Sequence, residues 1–328
     1  MERRHILVTG GCGFIGSNFI NHILDTYDDV KIINIDKLDY CSDTRYVRYD
    51  TNYERYFFVK GSINDKELVS KVLQCYNIQY VIHFAAQTHV DNSFEHSLDY
   101  TVDNILGTHT LLECCRLWGN IQKFIHISTD EVYGEIDMKS KGCCEKSLLN
   151  PTNPYAATKA GAEFIVRSYY YSFQMPIIII RANNVYGRHQ YPEKLIPKFI
   201  TLLRQDKKLT IQGKGTTRRN FIFVDDIVKA ISTIFHKGEL NNIYNIGTNN
   251  EYSVLDIAKI LLNKMKGSDA KLEDWIEYIP DRNFNDFRYA IDSSLVKSLG
   301  WAEEVDFEDG INQTIEWYSQ ISKYDIKI

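Results

Sequence analysis

Three adjacent residues whose side chains can exchange protons, Thr129, Asp130 and Glu131, follow an apolar run over residues 124–128. The run predicts a buried strand, so the hydroxyl and the two carboxyls would lie at its carboxyl end. In open α/β sheets, ligands bind beyond the carboxyl ends of the strands. The three side chains are therefore candidates for acid and base catalysis, although a polar strand end that only begins the next turn would have the same pattern.

Tyr155 and Lys159 form a second candidate pair, four residues apart on a helix predicted after Asn153 and Pro154. Residues at this spacing share one face of a helix. A cation beside a phenol stabilises the phenolate, so we expect Lys159 to lower the pKa of Tyr155 from its usual value of about 10. Such a tyrosine could take a proton from a sugar hydroxyl. The alternative is a tyrosine ring that only covers the lysine stem.

Alternating strand and helix patterns in the first half of the chain would position these residues. Continuous apolar runs predict strands that are buried on both faces of a parallel sheet. The strands are predicted at residues 6–9, 31–35, 56–59, 80–84, 124–128 and 176–181, and the helices at 14–24, 66–76, 99–118 and 155–173. This alternation predicts an α/β fold with a Rossmann-type doubly wound parallel sheet.

The pattern loosens after residue 181, where prolines and glycines interrupt it. Short strands are still predicted at 220–224 and 243–246, and helices at 253–265 and 307–324, with Ser253 as an N-cap. We therefore predict an NAD-binding domain made of residues 1–181 and about 220–247. A smaller, interleaved C-terminal substrate domain would comprise residues 248–328 and about 182–219.

The composition is that of a globular protein and argues against several classes of function. The 328 residues carry a formal net charge of −5, so no basic field is available for nucleic acid. No apolar stretch approaches the roughly 20 residues of a membrane span. The seven cysteines lack a C-x-x-C spacing, which favours reduced thiols in the cytoplasm. No metal site is predicted, and His83 and His89 are expected to have structural or hydrogen-bonding roles.

A glycine-rich segment follows the first predicted strand and opens the first predicted helix. Gly11, Gly13 and Gly16 satisfy the G-x-G-x-x-G spacing, which provides a tight turn, close backbone approach to a pyrophosphate and helix–strand packing. The helix N-terminus would bind the phosphates. Asp36 ends the second strand about 20 residues on, where a carboxylate would accept hydrogen bonds from ribose hydroxyls and repel a 2′-phosphate. The segment therefore predicts NAD rather than NADP; a glycine turn without a ligand is the alternative.

These motifs resemble the extended short-chain dehydrogenase/reductase family and, more closely, its nucleotide-sugar 4,6-dehydratases. The resemblance covers nearly the whole chain. It rests on residues 9–16, 83–86, 89–91, 128–134, 183–187, 192–197 and 288–292, with Asn104 and the Tyr155/Lys159 pair. The Thr-Asp-Glu triplet discriminates most, because the related epimerases and decarboxylases carry a hydroxyl at this place without the acid pair.

The resemblance implies an NAD-dependent cycle on a nucleotide-linked hexose. Tyr155, held by Lys159 and Thr129, would remove the proton of the sugar 4-hydroxyl while a hydride passes from C4 to NAD. Glu131 would then remove the C5 proton, and Asp130 would protonate the departing 6-hydroxyl before the hydride returns to C6. The product would be a 4-keto-6-deoxy sugar. Asp130 must then hold a proton near neutral pH while Glu131 does not.

The resemblance also implies which residues bind the cofactor and the substrate. The implied cofactor residues are Gly10, Gly13, Phe14, Ile15, Gly16, Asp36, Ser62, Ile63, Ala85, Tyr155 and Lys159, and the implied substrate residues are His89, Asn184, Lys194, Leu195, Arg219, Asn245 and Arg282. Arg219, Asn245 and Arg282 would bind the diphosphate, and Lys194 would border the base. Ser62 stands where relatives usually have an Asp that contacts adenine, so NAD binding would weaken but survive.

The hexose, the base and the assembly are less determined. Asn92 and Asn285 replace an Arg and a His that are common in the bacterial dTDP enzymes, and residues 153–163 look closer to the UDP-glucose 4,6-dehydratase domain of rhamnose synthases. UDP-glucose is therefore favoured, while dTDP-glucose and UDP-N-acetylglucosamine, the latter with C5 epimerisation, stay open. The alternatives are an NAD-dependent nucleotide-sugar 4-epimerase and a non-catalytic relative. In this family, helices such as 99–118 and 155–173 form a four-helix interface, which implies a homodimer.

Overall fold

The computed structural model describes residues 3–48 and 54–321 of the chain. Its first half alternates strands and helices, as the apolar runs predict. The strands are β1 (Arg4–Thr9), β2 (Val30–Asp36), β3 (Tyr56–Lys60), β4 (Tyr80–His83), β5 (Lys123–Thr129) and β6 (Ile177–Ala182). The helices are α1 (Phe14–Thr26), α2 (Lys66–Cys75), α3 (Val90–Glu95), α4 (Ser97–Tyr100), α5 (Gly107–Trp118) and α6 (Pro154–Phe173).

The second half contains shorter elements, and the sequence pattern had indicated only some of them. They are β7 (Asn184–Tyr186), α7 (Leu195–Arg204), β8 (Leu209–Gln212), β9 (Arg218–Phe223), α8 (Val224–Lys237), β10 (Ile243–Ile246), β11 (Glu251–Ser253), α9 (Val254–Lys266), α10 (Leu272–Trp275), β12 (Ile276–Ile279), α11 (Ser294–Ser298) and α12 (Phe307–Gln320). Ser253 caps α9 as predicted, in a reciprocal capping box with Asp256. The predicted helix at 307–324 ends at Gln320, and residues 322–324 lie outside the described residues.

Within the described residues, seven strands form one parallel sheet in the order β3-β2-β1-β4-β5-β6-β10. The chain moves outward from β1 to β3 and then returns to place β4 on the other side of β1. This order is that of a doubly wound fold, and its topological switch point lies between β1 and β4. The predicted fold class is confirmed, and the carboxyl ends of the strands meet at one edge of the sheet.

Apolar side chains cover both faces of the large sheet. One cluster packs α1 and α8 on one face, and a second packs α2, α5 and α6 on the other. Two smaller sheets, β7-β9-β11 and β8-β12, lie in the second half of the chain. In the described part of the chain, no helix is long and apolar enough to cross a membrane.

The predicted division into two domains stays a prediction. Strand β10 joins the large sheet, whereas β9 pairs within a small one.

The predicted helix at 99–118 is not one regular α-helix. A π-helical turn, Thr101–Leu106, separates α4 from α5. Within this turn the buried Asn104 side chain donates to the Gln87 carbonyl (3.0 Å) and to the Thr158 hydroxyl (2.9 Å), and it accepts from the Gln87 N–H (2.7 Å). Turns of this kind occur often at functional sites. Helical periodicity alone cannot indicate the turn, because contacts with distant segments stabilise it.

A buried ion pair joins β6 to α6 beside the edge of the sheet. The Arg181 guanidinium donates to the Glu163 carboxylate (2.6 Å) and to the Tyr133 hydroxyl (2.7 Å), and the side chains of Arg181 and Glu163 are 2% and 1% exposed. Two buried charges are tolerated only when each has its counter-charge and its hydrogen bonds. The pair therefore fixes the helix that carries Tyr155 against the strand that neighbours β5.

We predict that Glu163→Ala lowers the free energy of unfolding by about 3–5 kcal/mol, because it leaves the Arg181 charge buried without its partner. Urea denaturation monitored by circular dichroism measures this loss. The matched control is Glu304→Ala, which breaks the exposed pair with Lys229 and should cost no more than about 1 kcal/mol. Equal losses in the two variants would contradict the role assigned to the buried pair.

Candidate active site

The glycine-rich loop between β1 and α1 forms a cradle for an anion. Gly10 has φ +70°, and a Cβ added there would lie 2.7 Å from the backbone of Ala85, so only glycine fits. Gly13 is the N-cap of α1. Because glycine has no side chain, the first N–H groups of the helix have no capping side chain. These donors and the positive end of the helix dipole favour phosphate at this point.

Asp36 ends β2 beside this cradle, as predicted. Its carboxylate accepts from the backbone N–H groups of Cys12 (2.9 Å) and Leu38 (2.8 Å), and burial raises its pKa. The adjacent cation, Lys37, is paired with Asp39 (2.9 Å) and Asp103 (2.7 Å). The carboxylates around Lys37 disfavour a further phosphate here, which supports an unphosphorylated ribose rather than a 2′-phosphate.

Asp130 begins the 3₁₀ turn that follows β5, and its side chain is buried. Burial raises its pKa to about 7, and the negative charge of Glu131 adds to the rise. A hydrogen bond from the Asn183 amide (2.7 Å) opposes it. The Asn183 amide oxygen accepts from the Thr248 N–H (3.2 Å), so its nitrogen must face Asp130. A carboxyl with this pKa can donate a proton near neutral pH.

Glu131 is held from the opposite side, by the helix that carries Tyr155. The Asn153 amide nitrogen donates to its carboxylate (3.1 Å), and the Asn153 oxygen accepts from the Ala156 N–H (2.8 Å) as the N-cap of α6. Tyr155 and Lys159 project from this helix into the same cavity. The two carboxyls and the phenol are therefore gathered at the carboxyl ends of β5 and β6.

The expectation that Lys159 lowers the pKa of Tyr155 is wrong for this structure. Burial raises the pKa of the Tyr155 phenol well above 10, and the Glu131 and Asp130 charges add to the rise. The Lys159 amine donates to the Ile127 carbonyl (2.7 Å), and burial lowers its pKa to about 8. Burial, reinforced by the two neighbouring acids, dominates the pKa of this phenol, so phenolate formation needs additional positive charge.

Two adjoining cavities contain these groups. The first, of about 290 Å³, runs along the carboxyl ends of the strands. Its lining includes the predicted residues Gly10, Gly13, Phe14, Ile15, Gly16, Asp36, Ser62, Ile63, Ala85, Thr129, Asp130, Glu131, Tyr155 and Lys159. The second, of about 190 Å³, is lined by the predicted residues His89, Leu195, Arg219 and Arg282. Glu131, Asn184 and Lys194 line both, so the predicted base lies where the cavities meet.

Two of the predicted substrate residues around the second cavity already have polar partners within the protein. Arg282 pairs with Asp91 (2.8 Å) and donates to Gln212 (3.1 Å). The Lys194 amine donates to the Thr88 carbonyl (2.8 Å), and burial lowers its pKa. Burial also lowers the pKa of His89. Arg282 and Lys194 are half-buried cations in the lining of this cavity, which suits it to an anionic ligand.

Asn245 is the exception among the predicted substrate residues. It lies on β10 with no exposed surface, outside the lining of both cavities. Its side chain accepts from the Tyr133 hydroxyl (2.9 Å) and donates to the carbonyls of Cys143 (3.0 Å) and Asp292 (3.2 Å). Its hydrogen bonds join segments behind the site, so we correct its predicted role from diphosphate ligand to structural residue.

Sequence reasoning missed the amides that hold the two acids and the hydrogen bonds between Asn104 and Gln87, which lies in the loop after β4. Asn183 and Asn153 stood inside motifs, but only the fold shows that each donates to a carboxyl. His83, expected to form hydrogen bonds, contacts the Thr9 (2.7 Å) and Thr108 (2.9 Å) hydroxyls. Among residues 3–48 and 54–321, no group of three or more His, Cys, Asp or Glu side chains is placed to hold a metal ion.

A glycine cradle, a Tyr/Lys pair and an acid pair on a doubly wound sheet define the class of extended short-chain dehydrogenases/reductases. Comparison with known proteins gives the family within that class. The sequence profile of the family described as GDP-mannose 4,6 dehydratase matches residues 7–314. The chain belongs to this family of nucleotide-sugar dehydratases.

Relatives and solved structures agree with this assignment. The chain is 47% identical over 318 residues to a trifunctional UDP-glucose 4,6-dehydratase/UDP-4-keto-6-deoxy-D-glucose 3,5-epimerase/UDP-4-keto-L-rhamnose-reductase of Arabidopsis thaliana, covering 97% of this chain and 47% of that protein. It is 46% identical to the dTDP-D-glucose 4,6-dehydratase of Mus musculus, over 96% of this chain and 88% of that protein. The chain thus spans about half the length of the Arabidopsis relatives that it matches.

Among solved structures, the chain is similar to a dTDP-glucose 4,6-dehydratase from Streptomyces venezuelae that was crystallised with NAD bound. The TM-score is 0.90 at 35% sequence identity, and the match covers 96% of this chain and 97% of that one. It also resembles a UDP-glucuronic acid 4-epimerase from Bacillus cereus, with a TM-score of 0.88 at 31% identity and 96% and 99% coverage. The fold alone therefore does not separate dehydration from epimerisation.

The raised pKa of Asp130 predicts how stability depends on pH. A carboxyl titrating at about 7 in the folded state, and at about 3.9 when unfolded, stabilises the fold below about pH 4. That stability is lost as pH rises through about 7. We predict that Asp130→Asn, which cannot ionise, exceeds the wild type in free energy of unfolding by up to about 4 kcal/mol at about pH 8.

Urea denaturation of both proteins at about pH 4, 6 and 8 tests this prediction. The matched control is Asp29→Asn, since the hydrogen bond from Arg4 lowers the pKa of that exposed carboxyl and its loss should remove stability at high pH. A difference between Asp130→Asn and the wild type that does not grow with pH would contradict the assignment.

Proposed function

We propose that the protein is an NAD-dependent nucleotide-sugar 4,6-dehydratase, a hydro-lyase that forms a 4-keto-6-deoxyhexose. The observation that carries the proposal is the acid pair beside Tyr155, in which burial raises the pKa of Asp130 to about 7. A 4-epimerase needs a tyrosine base but no second acid and base. An acid that holds its proton near neutral pH, next to a carboxylate at the junction of the two cavities, suits elimination of water.

The residues of the first cavity fit a dinucleotide. The Gly10 cradle and the N-terminus of α1 would hold the pyrophosphate, Asp36 would accept from the adenosine ribose, and Ser62 and Ile63 would border the adenine. When bound, NAD would accept a hydride from C4 of the hexose and return one to C6. The positive charge of its oxidised ring would also oppose the carboxylates that raise the pKa of Tyr155.

Glu131 at the cavity junction, with Tyr155 and Asp130 of the first cavity, would move the protons. Tyr155 accepts the proton of the 4-hydroxyl, and the resulting 4-ketone acidifies the C5 proton, which Glu131 removes. Asp130 gives its proton to the departing 6-hydroxyl, which leaves as water. A proton then returns to C5. The hexose loses one water in total and the cofactor is unchanged at the end of the cycle.

The substrate we propose is a UDP- or dTDP-linked glucose, with its diphosphate in the second cavity near Arg219 and Arg282. Charge is the argument, because both guanidinium groups line this cavity and an Arg fork matches phosphate oxygens. Relatives named for UDP-glucose and for dTDP-glucose are almost equally similar to the chain. UDP-glucose remains the favoured substrate on the residues around Tyr155.

We further propose a cytoplasmic homodimer. The helical run from α4 to α5 exposes Leu98 (78%), Val102 (45%) and Leu106 (52%) at a spacing of four, and α6 exposes Phe164 (57%) and Tyr171 (62%). These stripes would form the four-helix interface expected for the family. All seven cysteines are free thiols, which supports a reducing compartment.

We predict that Asp130→Asn and Glu131→Gln each lower kcat by about 10²–10⁴-fold, or about 3–5 kcal/mol of transition-state stabilisation. Neither variant should lose bound NAD, measured by absorbance after denaturation.

Activity of the wild type should fall above about pH 7, as Asp130 loses its proton. Product formation from UDP-glucose, dTDP-glucose and UDP-N-acetylglucosamine, each followed separately by NMR in deuterated water, measures kcat and also identifies the substrate.

Deuterium should appear at C5 of the product, because C5 is reprotonated from solvent. An epimerised sugar without label at C5 would contradict dehydration, as would wild-type turnover in either acid variant. Glu67→Gln makes the same carboxylate-to-amide change at an exposed residue in the first turn of α2 and is the control variant.

The assembly is tested by light scattering. We predict twice the 38.2 kDa of one chain for the wild type at micromolar concentration and a monomer for Leu98→Arg, because a buried unpaired charge at an apolar interface is costly. Leu148→Arg is the matched control, since Leu148 is 90% exposed but belongs to the loop before α6 and not to these helices. A monomeric wild type would refute the dimer.

A further inference from the structure

The N-cap of α6 has a second partner that helix capping does not require. The Asn153 oxygen accepts from the Ala156 N–H and its nitrogen donates to Glu131. Because the oxygen is committed to the helix, the nitrogen can only face the carboxylate. The position of Glu131 therefore depends on where the backbone at residues 152–153 holds this amide.

Asp286 fixes that backbone from the other half of the chain. It is 2% exposed, and one of its carboxylate oxygens, Oδ2, accepts from the Thr152 hydroxyl (2.6 Å) and from the Tyr289 hydroxyl. Thr152 immediately precedes Asn153. Two donors on one buried carboxylate oxygen form a short, charge-assisted arrangement, which holds both hydroxyls in place.

Tyr289 connects this carboxylate to the proposed diphosphate site. The Arg219 guanidinium lies over the Tyr289 ring, 4.5 Å from its centroid. Both residues line the second cavity. The ring and the hydrogen bond from Arg219 to the Arg218 carbonyl (2.8 Å) together orient the guanidinium, and Asp286 orients the ring through its hydroxyl.

We propose that Asp286 is a positioning residue that couples diphosphate binding at Arg219 to the placement of the general base Glu131. The contacts run in the order Arg219, Tyr289, Asp286, Thr152, Asn153 and Glu131. This inference rests on the proposed function. Coupling is carried by continuous contacts, so cutting this chain of contacts at its catalytic end should also weaken nucleoside diphosphate binding, although Thr152 lies outside the lining of the second cavity.

The test uses Thr152→Val and Tyr289→Phe in the NAD-bound enzyme. Tyr289→Phe removes only the hydroxyl on Asp286 and keeps the ring under Arg219. Calorimetry with UDP measures the diphosphate site without any chemistry. The effect of deuterium at C5 of UDP-glucose on kcat measures proton removal by Glu131. If the wild type turns over only dTDP-glucose, dTDP and that sugar replace them.

Each variant should weaken UDP binding about tenfold, within the usual range of coupling between sites. Each should also lower kcat about tenfold with a larger isotope effect, because C5 proton removal becomes slower. Thr152→Ser, which keeps the hydroxyl, should restore both values to within about twofold of the wild type. The double variant should be no worse than the poorer single one, since both changes cut the same chain of contacts.

The matched controls are buried residues of the same types outside both cavities. Tyr244→Phe loses a hydroxyl that accepts from the Glu239 N–H (3.0 Å), and Thr314→Val loses one that donates to the Gly310 carbonyl (2.7 Å). Both should leave UDP affinity and the isotope effect unchanged. Thermal unfolding of every variant separates a loss of coupling from a loss of fold.

The outcomes distinguish this inference from the function on which it rests. A wild type that binds neither UDP nor dTDP and forms no keto sugar refutes the function and the coupling together. A normal wild type in which Thr152→Val changes kcat but leaves UDP affinity unchanged refutes the coupling alone. Losses that multiply in the double variant also refute it, because the two hydroxyls would then act independently.

Discussion

The candidate active site depends on the free-energy cost of ionising one buried carboxyl, that of Asp130. Asp130 is buried at the end of β5, and the sheet register places Thr129 opposite Ala182 of β6. Asn183 follows that strand and donates to Asp130. Burial raises the pKa of Asp130, because it disfavours the charged form, and the hydrogen bond from Asn183 lowers it. The resulting pKa is about 7. A parallel sheet supplies this balance, because neighbouring strands end side by side.

A buried polar network behind this edge joins Arg181, Glu163, Tyr133 and Asn245. Arg181 contacts Glu163 and Tyr133, and Tyr133 in turn donates to Asn245. Each charge and amide there has its partner, which is the condition for a buried polar network to stabilise a fold. Since Tyr133 closes the 3₁₀ turn that begins at Asp130, the network also fixes the backbone of the acid pair. Asn245 therefore contributes to the site through structure rather than through contact with a ligand.

Local signals in the sequence were sufficient to place the residues that are predicted to bind the cofactor. Gly13 and Asp36 lie where strand, turn and helix patterns put them, because the constraint there involves only the neighbouring residues. Three features needed the fold. The π turn around Asn104, the paired state of Asn245 and the raised pKa of Tyr155 all depend on segments distant in sequence and on exclusion of water. Residue types and spacing carry no measure of burial, so they gave the wrong direction for the Tyr155 pKa.

The two acids are held by different layers of the fold, and this decides how the site can be perturbed. Asp130 is bound to the strand layer through Asn183, whereas Glu131 is bound to α6 through Asn153. Lys159 joins the two layers where its amine donates to the Ile127 carbonyl of β5. A shift of α6 along the sheet would therefore move Glu131 and Tyr155 together and leave Asp130 in place. The geometry of the site therefore depends on the packing of α6 against β5 and β6, and the buried Arg181–Glu163 pair lies at that contact.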